Sequence, residues 1–230
     1  MQIILTNDDG FVAPGLKALE NALHLRGQIA VVAPDGPQSG VAHRITTTGQ
    51  IEVRMVDTDR YRVSGTPADC SRIALKKIAP HADWLIAGIN PGANLGSDVY
   101  NSGTVAAARE AAILGCRSIA ISQYISAAGQ IDWSATRHHA GRALAVLLER
   151  DLPAGHYWNV NLPHPIDRKG VIPIEFCGLD TLPHEYDYYV DGDAYTYQGS
   201  IHERPREVNK DVAVCFDEGK IAVTCIPLGV

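Results

Sequence analysis

The residues predict an α/β protein built on a mostly parallel sheet, and three observations carry that prediction. The first is an unbroken apolar run at the start, Ile3-Ile4-Leu5, of the kind that a strand buried on both faces requires. The second is a helical pattern over about residues 16–25, with Leu16, Leu19 and Leu23 apolar, followed by Gly27 and a further apolar run at 29–33. That is a strand, helix, strand unit, which favours parallel pairing through a right-handed crossover. The third is recurrence: strands read at 84–89 and 117–122 are separated by a helical stretch at 105–114 and followed by another at 135–148.

Taken in order, the elements place polar loops on one edge of such a sheet. The first run stops at Thr6-Asn7-Asp8-Asp9-Gly10, so a buried strand ends in two adjacent carboxylates. In open α/β sheets ligands bind at the carboxyl ends of the strands, and residues 10–15, with Pro14, read as a turn into the first helix. Neighbouring side chains on a strand point oppositely, so both acids face one ligand only where the backbone turns, and Gly10 permits that turn. Two anions this close repel each other, and a hard divalent cation with oxygen ligands is the simplest relief. The plain alternative is that one acid caps the helix and the other is solvated.

The second strand runs into Pro34-Asp35-Gly36-Pro37-Gln38-Ser39-Gly40, a turn-rich loop on the same edge as Asp8, and its position singles out Ser39. Thr46-Thr47-Thr48-Gly49-Gln50 separates two short alternating runs and predicts a hairpin. Thr66-Pro67-Ala68-Asp69 has the pattern of a capping box with Pro at the first helical position, and the helix runs towards Pro80. The strand at 84–89 opens into a glycine-rich loop, 90–98, whose first residue is Asn90. Ser102-Gly103-Thr104 then leads into a strong helix whose small residues leave backbone N–H groups open to an anion, favoured there by the helix dipole. His138 and His139 are adjacent rather than at ligand spacing and read as surface residues.

From Asp151 the character changes. Residues 157–163 and 171–174 read as short strands, 180–205 as hairpin and loop material forming an arm or a lid, and 212–226 as a closing hairpin turning near Asp217-Glu218-Gly219. The expected division is a catalytic core over 1–150, with 151–230 completing the core sheet and supplying the hairpin arm.

Composition excludes several classes. Hydrophobic residues at 46% and charged residues at 20% are ordinary for a soluble globular protein. No apolar run approaches the roughly 20 residues of a membrane span, and the start does not resemble a signal peptide. Five cysteines, Cys70, Cys116, Cys177, Cys215 and Cys225, are an odd number without CxxC spacing, which predicts reduced thiols in a cytoplasmic protein rather than disulfides or zinc. A net charge of −6 with scattered Lys and Arg argues against a nucleic-acid duplex as partner.

Three strand ends thus deliver Asp8 and Asp9, Ser39 and Asn90, while a helix mouth at 102–104 supplies amides. All these ligands are oxygen donors, which favours Mg²⁺, Mn²⁺ or Ca²⁺ over zinc. The residues now reached resemble the SurE family, stationary-phase survival proteins that are metal-dependent nucleoside monophosphate phosphatases. The match runs through NDDG at 7–10, APG at 13–15, VVAPD at 31–35, QSG at 38–40, SGTPADC at 64–70, GIN at 88–90, ANLGSDV at 93–99 and SGTVAAARE at 102–110, with NVNLP at 159–163 also similar.

The resemblance implies a Rossmann-like three-layer sandwich with a β-rich extension that exchanges arms in a homodimer or homotetramer. It implies one divalent cation per subunit, Mg²⁺ or Mn²⁺, held by Asp8, Asp9, Ser39 and Asn90. Phosphate would lie at Asn94, Ser102, Gly103 and Thr104, with Asn7 and Gly40 beside them. The implied activity is 5′-nucleotidase, with 3′-esters as a second class. Gly36-Pro37 stands where the family often has a basic residue followed by Asn, and Asn101 replaces the Tyr common before SGT.

For the chemistry, we favour ligand roles for both acids with cation-activated water attacking phosphorus in line, while Asp8 or Asp9 as base or nucleophile stays open. A haloacid-dehalogenase-type site needs Asp-x-Asp, which adjacent acids lack, and a serine hydrolase needs a G-x-S-x-G that does not occur. The non-enzymatic rival is a nucleotide or phosphate sensor using the same pocket. Tyr186, Tyr188 and Tyr189 could stack on a base, but aromatic residues in a hairpin more often serve packing or an interface.

Overall fold

The computed structural model describes residues 1–127, 129–166, 170–183, 186–199 and 201–229. Strand β1 (Gln2–Thr6) sits inside a nine-stranded sheet of order β3-β4-β2-β1-β5-β6-β7-β11-β8. Around it, β2 (Gln28–Pro34), β4 (Arg60–Val63), β5 (Trp84–Pro91), β6 (Arg117–Gln123) and β7 (His156–Leu162) are parallel. Edge strand β3 (Val53–Asp57) pairs antiparallel with β4. At the other end β11 (Ile221–Pro227) is antiparallel to β7, and β8 (Ile174–Phe176) parallel to β11. A separate antiparallel pair, β9 (Tyr188–Asp191) and β10 (Ala194–Tyr197), forms a hairpin outside the main sheet. Residues 184, 185 and 200 of the stretch read as hairpin and loop lie outside the described residues.

The period of two along β1 assigns its side chains to two helical layers. Ile3 and Leu5 pack with Leu16 and Leu19 of α1 (Pro14–Leu23) and with Leu144 and Leu147 of α4 (Trp133–Leu148). Ile4 faces the opposite way, onto Cys70 of α2 (Pro67–Ile73) and Ala107 and Ala111 of α3 (Gly103–Ile113). These β1 side chains are fully buried, each worth about 1.5–3 kcal/mol of transfer free energy. The result is the α/β architecture expected, with helices on both faces of the sheet. The chain steps from β1 out to β2 on one side and returns as β5 on the other, so the reversal of strand order lies between β1 and β5, where such sheets bind ligands.

Four local expectations are corrected. The hairpin forms at 53–63 rather than around 46–50, turning at Asp59, whose φ of 55° suits a short polar residue. Residues 41–52 instead strap the start of α2: Asp69 accepts from the Thr46 amide at 2.9 Å and its hydroxyl at 2.7 Å, while the Thr66 hydroxyl donates to the Arg44 carbonyl at 2.7 Å. The start of the closing hairpin is a helix, α5 (Asp211–Phe216), because tertiary packing of Val212, Val214 and Cys215 against Leu95, Tyr124 and Ala222 overrides their β preference. The strand placed at 171–174 is β8 instead, since Pro173 has no N–H for the ladder and only its carbonyl pairs, with the Ile221 amide at 2.9 Å. Finally His139 is fully buried, its ring 3.2 Å from Arg142 Nη1; His138 is exposed as expected.

Candidate active site

The turn after β1 is locked by its own asparagine. Asn7 Nδ2 donates to the Gly10 carbonyl at 2.9 Å and its Oδ1 accepts from the Gly10 amide at 3.2 Å. Gly10 adopts a φ of 100°, and a Cβ there would stand 3.0 Å from the Gly36 backbone, so only glycine lets the two loops meet. This bend is what brings Asp8 and Asp9 to one cleft in spite of strand alternation. Asn7 is therefore fully buried behind the site with its amide committed, and it does not line the cleft where phosphate had been expected beside it.

Asp8 is buried against the N-terminus of α3. Its Oδ1 accepts from the Thr104 hydroxyl, and a Cβ on Gly103 would stand 2.9 Å from Asp8 Cβ, so glycine permits the approach. Burial pushes the Asp8 carboxyl up, against the lowering effect of hydrogen bonds from the Thr104 hydroxyl and from backbone amides. Asp9 is pushed up to about 7, first by burial and then by the charge of Asp8. Its Oδ2 is buried with no hydrogen-bond partner among the described residues. Such an oxygen is a costly feature unless something binds it.

Other loops close around the acids. The Gln38 amide donates to the Asp8 carbonyl at 2.7 Å, tying Ser39 and Gly40 to the rim. Asn90 Nδ2 donates to the Gly92 carbonyl at 2.8 Å, which fixes its side chain at the cleft. Asn94 Nδ2 donates to Ser122 Oγ at 2.8 Å, which orients the buried side chain. Ser102 caps α3 by accepting from the Val105 amide at 3.1 Å. Together Asp8, Asp9, Ser39, Gly40, Asn90, Asn94 and Ser102 line one cleft of about 280 Å³, with Gly103 and Thr104 behind Asp8.

The cleft also holds residues that the sequence reading left unassigned. Pro91, Asp98 and Asn101 line it. Asp98 Oδ2 accepts from the buried Arg204 at 2.8 Å. Asn159 and Asn161 clamp the loop from β7: the Asn94 amide donates to Asn161 Oδ1 at 2.8 Å, and the Asn94 carbonyl accepts from Asn159 Nδ2 at 2.8 Å and Asn161 Nδ2 at 3.0 Å. The signal was the second asparagine of NVNLP, since a strand buried on both faces places an amide inside only to bond a neighbouring loop. Among the described residues no group of three or more His, Cys, Asp or Glu is placed to hold a metal, so any cation here relies on two carboxylates and neutral oxygens.

The model of the family described as "Survival protein SurE" matches residues 3–181. The chain belongs to the SurE family. Among SurE relatives, a Synechocystis protein whose name marks it as a candidate 5′-nucleotidase is 45% identical over 224 residues, covering 97% of this chain and 98% of its own. A Methylobacterium radiotolerans protein named 5′-nucleotidase SurE is 42% identical over 178 residues, covering 74% of this chain and 70% of its own. The solved SurE protein from Aquifex aeolicus superposes with a TM-score of 0.89 at 32% identity, covering 100% of this chain and 94% of that one. The cleft at the β1 and β5 ends thus lies in a chain that shares its fold with a solved SurE protein over its whole length.

Proposed function

We propose that this SurE-family chain is a divalent-metal-dependent phosphatase that hydrolyses nucleoside monophosphates, 5′-esters above all, to nucleoside and phosphate. The relatives named 5′-nucleotidase support the nucleotide substrate. The observation that carries the chemistry is the buried, unpartnered Oδ2 of Asp9 in a cleft it shares with Asp8, Ser39 and Asn90. Two carboxylates balance one divalent charge, and every donor is a hard oxygen, so the residues fit Mg²⁺ or Mn²⁺.

A cation held there supplies Lewis-acid polarisation of a phosphoryl oxygen and lowers the pKa of water. The chain's own residues do the rest. Thr104 and Gly103 fix Asp8 at the mouth of α3, where the helix dipole also favours the phosphoryl group. Asn94, oriented by Ser122 and the Asn159–Asn161 clamp, would place its side chain in the same cleft as the ester. Such preorganised donors stabilise developing charge without rearranging.

The same reading includes assembly and location. We assign the exposed aromatic hairpin of β9 and β10 as an arm between identical subunits, and a reducing cytoplasm as the compartment; all five cysteines are unpaired, and among the described residues no helix is long and apolar enough to cross a membrane. The test of function is phosphate release from a panel of 5′- and 3′-nucleoside monophosphates with Mn²⁺, Mg²⁺ or EDTA. Release from 5′-esters that stops under EDTA is expected. Release that survives chelation would overturn the metal role, and AMP binding without release would make the cleft a sensor.

A further inference from the structure

We infer that His43 is a positioning residue for the cleft: by bonding Glu110 of α3 it holds the loop that presents Ser39 to the cation and Gly40 to the phosphoryl group. This deepens the phosphatase reading and rests on it. The loop leaves β2 and is tied at three points. The Gln38 amide donates to the Asp8 carbonyl at 2.7 Å, the Ala42 amide donates to the Asn101 carbonyl at 3.2 Å, and His43 Nε2 lies 2.7 Å from Glu110 Oε2. Ser39 and Gly40 stand exposed between the first two ties, so the backbone on either side sets where they point. The third tie reaches a helix that already frames the cleft, because α3 begins at Gly103, beside Asp8, and carries Glu110 about two turns further on. Ser39, Gly40 and the amides at 102–104 are thereby referred to one rigid element, which fixes the distance between cation and phosphoryl group.

Two features single out this third tie. Gly40 has a φ of 69° and Ala42 one of 51°, so the backbone turns left-handed twice within three residues. At Ala42, which carries a Cβ, that conformation is unfavourable and persists only where the surroundings hold it. His43 is the next residue, and its bond to α3 is the nearest side-chain anchor. The second feature is Glu110 itself, a carboxylate buried along α3 with both oxygens engaged, Oε2 by His43 and Oε1 by Arg72 Nε at 2.5 Å. Burial raises this carboxyl, but the hydrogen bonds from His43 and Arg72 outweigh it and hold it below its ordinary 4.5. It therefore stays ionised at neutral pH and accepts from both. Arg109 Nη1 stands 3.4 Å from His43 Nδ1, and Arg109 Nη2 donates to the Val99 carbonyl at 2.5 Å. A ring set between an acid at Nε2 and a guanidinium at Nδ1 donates through Nε2–H and accepts at Nδ1.

The experiment measures Mn²⁺ affinity by calorimetry, and amide hydrogen exchange of residues 38–43 without metal, in the wild type, His43→Ala, His43→Asn and His43→Gln. Gln places an N–H at the reach of Nε2, Asn falls one methylene short of Glu110, and Ala has no donor. His43→Ala and His43→Asn should weaken Mn²⁺ binding and speed exchange at 38–43, each about tenfold or more, the usual scale for groups that orient metal ligands. His43→Gln should stay within about threefold of the wild type in both, a rescue that a side chain serving only to fill space would not show. Affinity or exchange that changes less than about threefold in His43→Asn overturns the inference, and so does a Gln variant as impaired as Asn. Should His43→Ala fail to fold, the Asn and Gln variants decide between themselves, since they differ by one methylene. If the wild type binds Mn²⁺ but releases no phosphate from AMP, the phosphatase reading fails by itself and the affinities still decide the role of His43. If it binds no Mn²⁺, the metal reading fails, and exchange alone upholds or refutes the anchorage.

Discussion

The rim of the cleft and the hairpin of β9 and β10 are built on opposite terms. At the rim three polar groups are held by partners far away in sequence: Asp8 by Thr104, Asn94 by Asn159 and Asn161, Asp98 by Arg204. In the hairpin every residue of both strands is exposed, including Tyr188, Tyr189, Val190, Tyr195 and Tyr197, and the ring contacts of Tyr197 with Tyr186 and Tyr188 are local. The contrast teaches that long-range bonds within the chain fix the loops of the cleft, whereas the hairpin presents apolar surface that packing within the chain leaves in water.

Variants can break or sharpen that contrast. The largest effect is expected from Asp9→Asn, which should lower phosphate release from AMP on the order of 10³-fold while leaving the thermal midpoint near that of the wild type. A midpoint that collapses would mean that Asp9 serves the fold rather than the chemistry. Next, because the metal-free Asp9 carboxyl titrates at about 7 and must lose its proton to bind a cation, Mn²⁺ affinity should fall more than about tenfold between about pH 7.5 and pH 5.5. Calorimetric titration in buffers of different ionisation enthalpy would detect the released proton.

Asn161→Ala removes two of the bonds that hold the Asn94 loop, and kcat/KM for AMP should drop about tenfold, the usual scale for groups that orient a site from behind. Asp69→Asn tests the strap beside the rim. Burial raises that carboxyl, but hydrogen bonds from Thr46 and Thr66 outweigh it and hold it below its ordinary 3.8. Its contribution is therefore present above about pH 4 and lost as pH falls further, so the variant should lose about 1–3 kcal/mol at neutral pH and show a flatter acid limb in thermal melts. The smallest effect on folding belongs to the hairpin. Tyr188→Ser with Tyr195→Ser should change monomer stability by no more than about 0.5 kcal/mol yet shift light scattering towards smaller species. Unchanged mass with lost stability would place the hairpin on the same footing as the rim.

Much of the rim was legible because its residues follow strands whose apolar runs are unmistakable. Asp8, Ser39 and Asn90 could be placed on one edge from the order of runs alone, and the capping box at Thr66 and Asp69 formed as read, with the Asp69 amide 3.2 Å from Thr66 Oγ1 and the Thr66 amide 3.0 Å from Asp69 Oδ2. At Asn7 the letter alone does not tell a turn-locking asparagine from one that faces a ligand, and the structure adds that its side chain bonds Gly10. The 46–50 hairpin misled because the bonds that override it come from Asp69, more than twenty positions away.

The sequence by itself determined the layered sheet, the edge that carries the oxygen donors and the helix mouth beside them, because buried strands and capped helices are specified by neighbours within a few residues. Only the tertiary structure decided that Arg204 reaches Asp98, that two asparagines of β7 grip the Asn94 loop, that 211–216 is helical and that His43 reaches Glu110 of α3. Those contacts join segments separated by tens of residues, and their energies exist only once loop closure has brought the partners together.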